Sequence, residues 1–99
     1  MNIVKEINDK TLILYVEGEL NSSTAPIFES ELTDSLKGVE TLILDFEKLN
    51  YLSSAGLRVI LVAQKVMQKQ GKMIVRHVNE AVNDIFTITG FNNILDIED

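Results

Sequence analysis

Two adjacent serines, Ser53 and Ser54, are the residues of this chain whose type and position best suit chemistry. They follow a short aliphatic run at 42–45, which predicts a buried strand, and they precede a stretch at 54–70 with the apolar spacing of a helix. Two hydroxyl groups therefore fall at a helix N-terminus, where unpaired N–H groups and the positive end of the helix dipole favour a negative charge. A phosphate added there would leave the fold intact while changing what the surface binds. The sequence thus indicates a binding module that a covalent charge can switch.

A serine hydrolase would need a base beside its serine, and the chain has one histidine, His77. A Ser54–His77–Asp45 triad is arithmetically possible, because all three residues can lie near one edge of a sheet. The strained Gly-x-Ser-x-Gly turn of such enzymes is absent, however, and no glycine stands two residues before Ser54. We therefore expect no catalytic residue, and we interpret His77 as a half-exposed residue at the end of a strand.

The composition argues against several other classes of protein. One histidine, no cysteine and dispersed carboxylates do not form a metal ligand set, and five scattered glycines do not form a phosphate loop. The net charge is −6 and the basic residues are scattered, which suits neither nucleic acid nor an anionic membrane surface. We expect no metal and no cofactor, and we expect a protein partner.

The length and composition of the chain predict the number of domains and the cellular location. Ninety-nine residues with 45% hydrophobic content suit a single domain over 1–99 with its own core. No secretion signal and no membrane-spanning run is visible, and the lack of cysteine fits a reducing compartment. We therefore expect no membrane span and a cytoplasmic location.

Strand and helix patterns alternate along most of the chain. Strands are predicted at 3–8, 11–17, 41–45, 72–78 and 94–97, and helices from Thr24–Pro26 to Gly38, at 54–70 and at 79–89, with loops at 18–23 and 46–52. The first two strands predict a hairpin, and the later alternation predicts parallel crossovers. The expected fold class is α/β: a mixed, mostly parallel sheet of four to five strands, with an N-terminal β-hairpin and the helices on one face.

Helices on one face would leave the other face of the sheet open. Alternation places Ile13, Tyr15, Ile43 and Ile74 on one side of their strands and the leucines on the other. One hypothesis is that this second face mediates self-association, because large apolar patches are uncommon on monomers. The alternative is that charged side chains and an N-terminal segment cover it.

Four segments of the chain together form a recognisable pattern: the loop Gly18-Glu19-Leu20-Asn21, the helix start Thr24-Ala25, the strand Leu42-Ile43-Leu44-Asp45 and the run Ser53-Ser54-Ala55-Gly56-Leu57. This pattern resembles the STAS domain of bacterial anti-sigma factor antagonists. The resemblance extends over essentially the whole chain in element order and length. It implies binding to an anti-sigma factor, a serine kinase with the histidine-kinase type of ATPase fold, so that a sigma factor is freed and transcription is regulated. It also implies phosphorylation of one serine, which releases the kinase, and reversal by a PP2C-type phosphatase.

The family's modified serine stands three positions before the leucine of its motif, which is Ser54 here. The family often has Asp where this chain has Ser53, and Asp after its Gly-Glu-Leu where this chain has Asn21. The choice of Ser54 over Ser53 is therefore an expectation, and a capping serine that is never modified stays open as the alternative. A second possibility is a STAS subunit of another assembly, such as a lipid-transport ATPase or a stress-sensing complex, that never carries phosphate.

Loops that leave the carboxyl ends of parallel strands meet at one edge of a sheet, and this edge is the expected partner-binding site. The residues expected there are Glu19, Asn21, Ser22, Ser23, Asn50, Ser53, Ser54 and Arg58. Gly56 is expected to let a partner backbone approach closely. Arg58, one helical turn after Ser54, is expected either to pair with its phosphate or to be an ordinary solvated residue.

Overall fold

The described chain begins with an antiparallel hairpin. In the computed structural model, which describes residues 1–98, strand β1 (Asn2–Asn8) pairs with strand β2 (Thr11–Leu20) from Asn2↔Glu17 to Asn8↔Thr11. The hairpin turn includes Asp9, whose φ of +57° is one that Asp tolerates better than most residues. β1 thus forms one edge of the sheet.

The remaining elements alternate around β2. They are helix α1 (Ala25–Ser35), strands β3 (Thr41–Asp45) and β4 (Leu49–Leu52), helix α2 (Ser54–Gln70), strand β5 (Lys72–Arg76), helix α3 (Glu80–Thr89), a single 3-10 turn (Phe91–Asn93) and strand β6 (Asp96–Glu98). The order in the sheet is β1-β2-β3-β5-β6, and β4 pairs separately with the end of β2. All pairs except the first are parallel, so the carboxyl ends of β2 to β6 share one edge.

The core lies between this sheet and the three helices. Alternate residues of β2, β3 and β5 are buried: Leu12, Leu14, Val16, Leu42, Leu44, Met73 and Val75. The helices contribute Phe28, Ile60 and Phe86 to the same buried cluster, so all three pack on one face of the sheet. The predicted α/β fold with a mixed, mostly parallel sheet is confirmed, although the sheet has six strands instead of four or five.

The extra strand corrects the prediction of a loop over 46–52. A turn closed by the Leu49 N–H to the Phe46 carbonyl, 3.0 Å, leads into β4. Leu49 and Leu52 are both buried, and β4 pairs with the last residues of β2. The pattern concealed this strand because it is only four residues long and has two exposed residues between two buried leucines.

The predicted boundaries of β2, β5 and β6 also differ, and α1 ends at Ser35 instead of continuing to Gly38. β2 continues beyond residue 17, because a bulge at Gly18 and Glu19 redirects its end to pair with β4. β5 ends at Arg76 instead of residue 78, since His77 has a φ of +58° and leaves the extended conformation. β6 begins at Asp96 instead of residue 94, because Ile94, which follows the 3-10 turn, has helical backbone angles and is not extended.

α2 is the longest helix and has the predicted bounds. It is followed by Gly71, where a Cβ would collide with the backbone carbonyl of Glu40, so the approach of these two segments requires glycine. Within residues 1–98, no helix combines the length and the apolar character that crossing a membrane requires.

The face of the sheet opposite the helices is only partly exposed to solvent. Ile13 and Ile43 are half-buried and Ile74 is buried, while Val4 on β1 is exposed. β1 extends the sheet sideways and does not cross this face, so within residues 1–98 the N-terminal strand does not cover it. Self-association through this face stays a prediction.

Candidate functional site

The two serines differ in accessibility. Ser54 is exposed, whereas Ser53 is half-buried and its Oγ is enclosed without a hydrogen-bond partner among the described residues. The N–H of Ser53 donates to the carbonyl of Leu20 (2.9 Å), which fixes the start of α2 against the end of β2. Only the Ser54 hydroxyl is therefore presented to another molecule.

The first turn of α2 has no capping side chain. Ser53 occupies the N-cap with extended backbone, but its hydroxyl accepts no helix N–H. α3 provides the contrast, because Asn79 Oδ1 accepts from the Val82 N–H at 2.9 Å. Among residues 1–98, no side chain therefore competes with an anion for the N–H groups at the start of α2.

The parallel pairing of β2 with β4 brings two exposed side chains next to this helix start. Glu19 is in register with Tyr51, and both are exposed, Tyr51 to 49%. Asn50, the preceding residue of β4, is also exposed. A charge, an aromatic ring and an amide therefore lie exposed on the paired ends of β2 and β4, the latter of which leads directly into α2.

The loop between β2 and α1 is held by a reciprocal turn. Asn21 Oδ1 accepts from the N–H groups of Ser23 (2.9 Å) and Thr24 (3.1 Å), and the Asn21 N–H donates to Thr24 Oγ1 (2.8 Å). Thr24 has the predicted N-cap position, but its hydroxyl donates to the Glu19 carbonyl instead of capping the helix. Asn21 is half-buried with its oxygen occupied, so Ser22 and Ser23 are the exposed residues of this loop.

Arg58 extends the same surface towards α1. Its Nη2 lies 3.4 Å from Oε1 of Glu29, and the two side chains are 61% and 39% exposed. This pair links α2 to α1 one helical turn beyond Ser54. We call the exposed group formed by Glu19, Ser22, Ser23, Asn50, Tyr51, Ser54 and Arg58 the Ser54 surface.

Gly56 corrects one expectation. It is buried, and a Cβ at this position would meet Leu20 Cγ at 2.6 Å and Leu52 Cδ1 at 2.7 Å. Its small size therefore allows α2 to pack on the ends of β2 and β4. A close approach of a partner backbone does not account for it, because it faces the interior.

A second polar group lies at the same edge, on the open face of the sheet. Asp45, 4% exposed, accepts from the Glu47 N–H (3.0 Å), Arg76 Nε (2.9 Å) and contacts His77 Nδ1 (2.9 Å). The Arg76 guanidinium carbon lies 5.9 Å from the centre of the Tyr15 ring. We call Tyr15, Asp45, Arg76 and His77 the Asp45 cluster.

Electrostatics bind the Asp45 cluster together. Burial raises the pKa of Asp45, but the hydrogen bonds from the Glu47 N–H, Arg76 and His77 outweigh it, so the pKa is lowered overall. The hydrogen bond to Asp45 raises the pKa of Arg76 in turn. His77 is exposed as expected, and no hydrogen bond joins it to Ser54 among the described residues. Of the Ser54–His77–Asp45 triad considered from the sequence, the structure therefore contains only the Asp45–His77 pair.

Two residues of interest escaped prediction. Tyr51 had a usable signal, since an exposed aromatic ring beside a helix start is typical of binding surfaces. Glu29 had none, because its pairing with Arg58 depends on how α1 crosses α2.

Comparisons with known proteins agree with this fold. The STAS domain family model matches residues 2–99. BtrV of Bordetella bronchiseptica, which bears the name of an anti-sigma factor antagonist, is 36% identical over 98% of this chain and 85% of its own length. A similarly named structure from Thermotoga maritima covers 98% of this chain and 86% of its own, with 26% identity and a TM-score of 0.91. The Bacillus protein SpoIIAA in its phosphorylated form covers 99% and 92%, with 18% identity and a TM-score of 0.77.

Proposed function

We propose that this chain, which belongs to the STAS domain family, is an anti-sigma factor antagonist controlled by phosphorylation of Ser54. In the unphosphorylated form, its Ser54 surface binds an anti-sigma factor that is a serine kinase. Phosphorylation of Ser54 releases that partner, and a PP2C-type phosphatase removes the phosphate. The chain itself performs no turnover.

The single observation that carries the proposal is the different accessibility of the two serines. Ser54 is exposed at an uncapped helix N-terminus, whereas Ser53 Oγ is enclosed. A kinase can reach the first hydroxyl without disturbing the fold. The fold is also compatible with a phosphate, since SpoIIAA has the same fold in a phosphorylated form.

The magnitudes are sufficient for a switch. Moving a complex from mostly bound to mostly free requires about 5.5 kcal/mol of differential binding. Phosphorylation adds about −1.5 to −2 charges at neutral pH. One like-charge pair about 4 Å apart costs on the order of 4 kcal/mol at an effective dielectric constant near 20. One or two acidic groups of the partner that face Ser54, together with desolvation of the phosphate, would reach the required value.

The helix itself does not oppose release. A helix N-terminus stabilises an exposed anion by about 0.3–1 kcal/mol. This is enough to keep the phosphorylated form folded and too little to hold the partner. Release therefore arises at the interface and does not require unfolding.

The first experiment identifies the modified residue. The protein is incubated with a candidate anti-sigma factor kinase and ATP, and the product is mapped by mass spectrometry. We expect phosphate on wild type and on Ser53→Ala, and none on Ser54→Ala. Equal labelling of Ser54→Ala would refute the site.

The second experiment tests release. The affinity of the anti-sigma factor is measured by calorimetry for Ser54→Ala, Ser54→Asp and Gln68→Glu, the last of which adds one negative charge near the far end of α2. We expect weaker binding for Ser54→Asp alone, with melting temperatures little changed. An unmodified STAS subunit of another assembly would instead show no labelling and no response to the charge at 54.

A further inference from the structure

The ion pair between Arg58 and Glu29 lies one helical turn after the proposed phosphorylation site. It joins the second turn of α2 to α1 with an N–O distance of 3.4 Å. Both side chains are partly exposed, so neither charge is held by burial. Pairs of this kind are weak, typically about 0–1 kcal/mol, and a stronger competitor displaces them.

Helix geometry directs Arg58 towards Ser54. Residues four apart lie on one face of a helix, and side chains lean towards its N-terminus. Arg58 therefore lies on the same side of α2 as Ser54, one turn later, while its guanidinium pairs with the Glu29 carboxylate. Glu29 and a phosphate on Ser54 would thus compete for the same cation, Arg58. Before phosphorylation, only Glu29 carries a charge.

We infer that a phosphate on Ser54 takes Arg58 from Glu29. The phosphate carries more charge than a carboxylate and accepts a two-pronged pair from guanidinium, so it is the stronger partner. No covalent bond of Arg58 changes: its ion pair with Glu29 opens and one with the phosphate forms. The modification thereby severs the ionic link between α1 and α2.

The loss of the Arg58–Glu29 pair adds a second effect to the repulsion between the phosphate and acidic groups of the partner. This effect on partner binding rests on the proposed function. In the unmodified protein, the exposed guanidinium is available to an acidic group of the partner. After modification, that partner group faces a phosphate and has also lost its cation. Arg58 therefore increases the ratio between the affinities of the unmodified and modified forms.

The test measures the phosphate itself and does not depend on any kinase. Phosphoserine is inserted at position 54 during translation, and its second ionisation is followed by phosphorus NMR as a function of pH. A nearby cation lowers the pKa of the phosphate, so we expect Arg58→Gln to raise it by about half a pH unit. Lys69→Gln, which removes one positive charge from the last turn of the same helix, serves as the matched control and should leave it unchanged.

Competition with Glu29 is tested by a double-mutant cycle in the same measurement. Glu29→Gln frees Arg58 and should lower the pKa of the phosphate, and this effect should shrink when Arg58→Gln is also present. An equal effect of Glu29→Gln in both backgrounds would overturn the exchange. A phosphate pKa that responds alike to Arg58→Gln and Lys69→Gln would also overturn it.

The consequence for binding is measured separately. The affinity of the anti-sigma factor is compared for protein with serine or phosphoserine at 54, with and without Arg58→Gln. We expect the ratio of the two affinities to fall by about 3- to 10-fold in the variant. An unchanged ratio would overturn the role of Arg58 in release. Failure of a kinase to modify Ser54 would refute the proposed function while leaving the titration result valid.

Discussion

The Ser54 surface and the Asp45 cluster lie at the same edge of the sheet, yet their polar groups are used differently. Asp45 is buried and accepts three close contacts from its own chain. Ser54 is exposed, at a helix start that no side chain caps. Polar groups satisfied internally stabilise a fold, whereas exposed polar groups on loops and helix starts are available to partners. The type of a residue and its position along the chain do not show whether it is satisfied internally, like Asp45, or available to a partner, like Ser54. The hydrogen-bond partners in the folded structure do show this.

The largest expected effect concerns stability. Asp45→Ala leaves Arg76 and His77 without their shared acceptor, and we expect the free energy of unfolding to fall by about 3 kcal/mol, near the low end for a broken buried pair because Arg76 is partly exposed. Ser54→Ala should change it by less than about 0.5 kcal/mol. Urea denaturation of both variants measures the difference. Similar losses in the two would erase the distinction between the regions.

The boundary between the Ser54 surface and the core is tested at Gly56. Gly56→Ala places a methyl group within 2.7 Å of Leu20 and Leu52 side-chain atoms, and we expect a loss of about 2 kcal/mol from overpacking. Urea denaturation again provides the value. Wild-type stability combined with weaker partner binding would instead put Gly56 on the binding surface.

Acid should weaken the Asp45 cluster. The pKa of Asp45 is lower in the folded protein than its ordinary 3.8, so ionised Asp45 stabilises the fold above that pH, and this contribution is lost as the pH falls through the folded value. We expect the stability difference between wild type and Asp45→Asn to shrink progressively below pH 3.8. Denaturation curves from pH 6 to pH 2 measure it, with Ser54→Ala as the control. A difference that stays constant over this range would contradict the assigned role.

The smallest expected effect is at the ion pair beside Ser54. Arg58→Gln should change the free energy of unfolding of the unmodified protein by less than about 1 kcal/mol, because both charges of the pair are solvated. Thermal melts at low and high salt measure it. A loss of unfolding free energy as large as that of Asp45→Ala would mean that Arg58, like the Asp45 cluster, stabilises the fold.

Much of the fold could be predicted because its signals are local. Helical spacing over 54–70 and alternation in the hairpin need only neighbouring residues. β4 was missed because a four-residue strand is specified by its pairing partner, the distant end of β2. β5 was predicted two residues too long because nothing in its side chains announces the left-handed backbone of His77.

The candidate site divides in the same way. The position of Ser54 at a helix start follows from the sequence, and so does the presence of Arg58 one turn later. The sequence does not reveal that Gly56 is buried, because its burial depends on how α2 packs against Leu20, which is distant along the chain, and against Leu52 at the end of β4. Tyr51 and Glu29 acquire their relevance from strand register and helix crossing.

The sequence alone determined the α/β alternation, the acidic charge that disfavours nucleic acid, and the serine pair at the start of α2, because each depends on composition or short-range spacing. Only the tertiary structure decided which serine is open, which carboxylate is saturated and which acid holds Arg58. Accessibility and hydrogen-bond satisfaction depend on contacts between segments far apart in the chain, and such contacts exist only after the sheet and helices have packed.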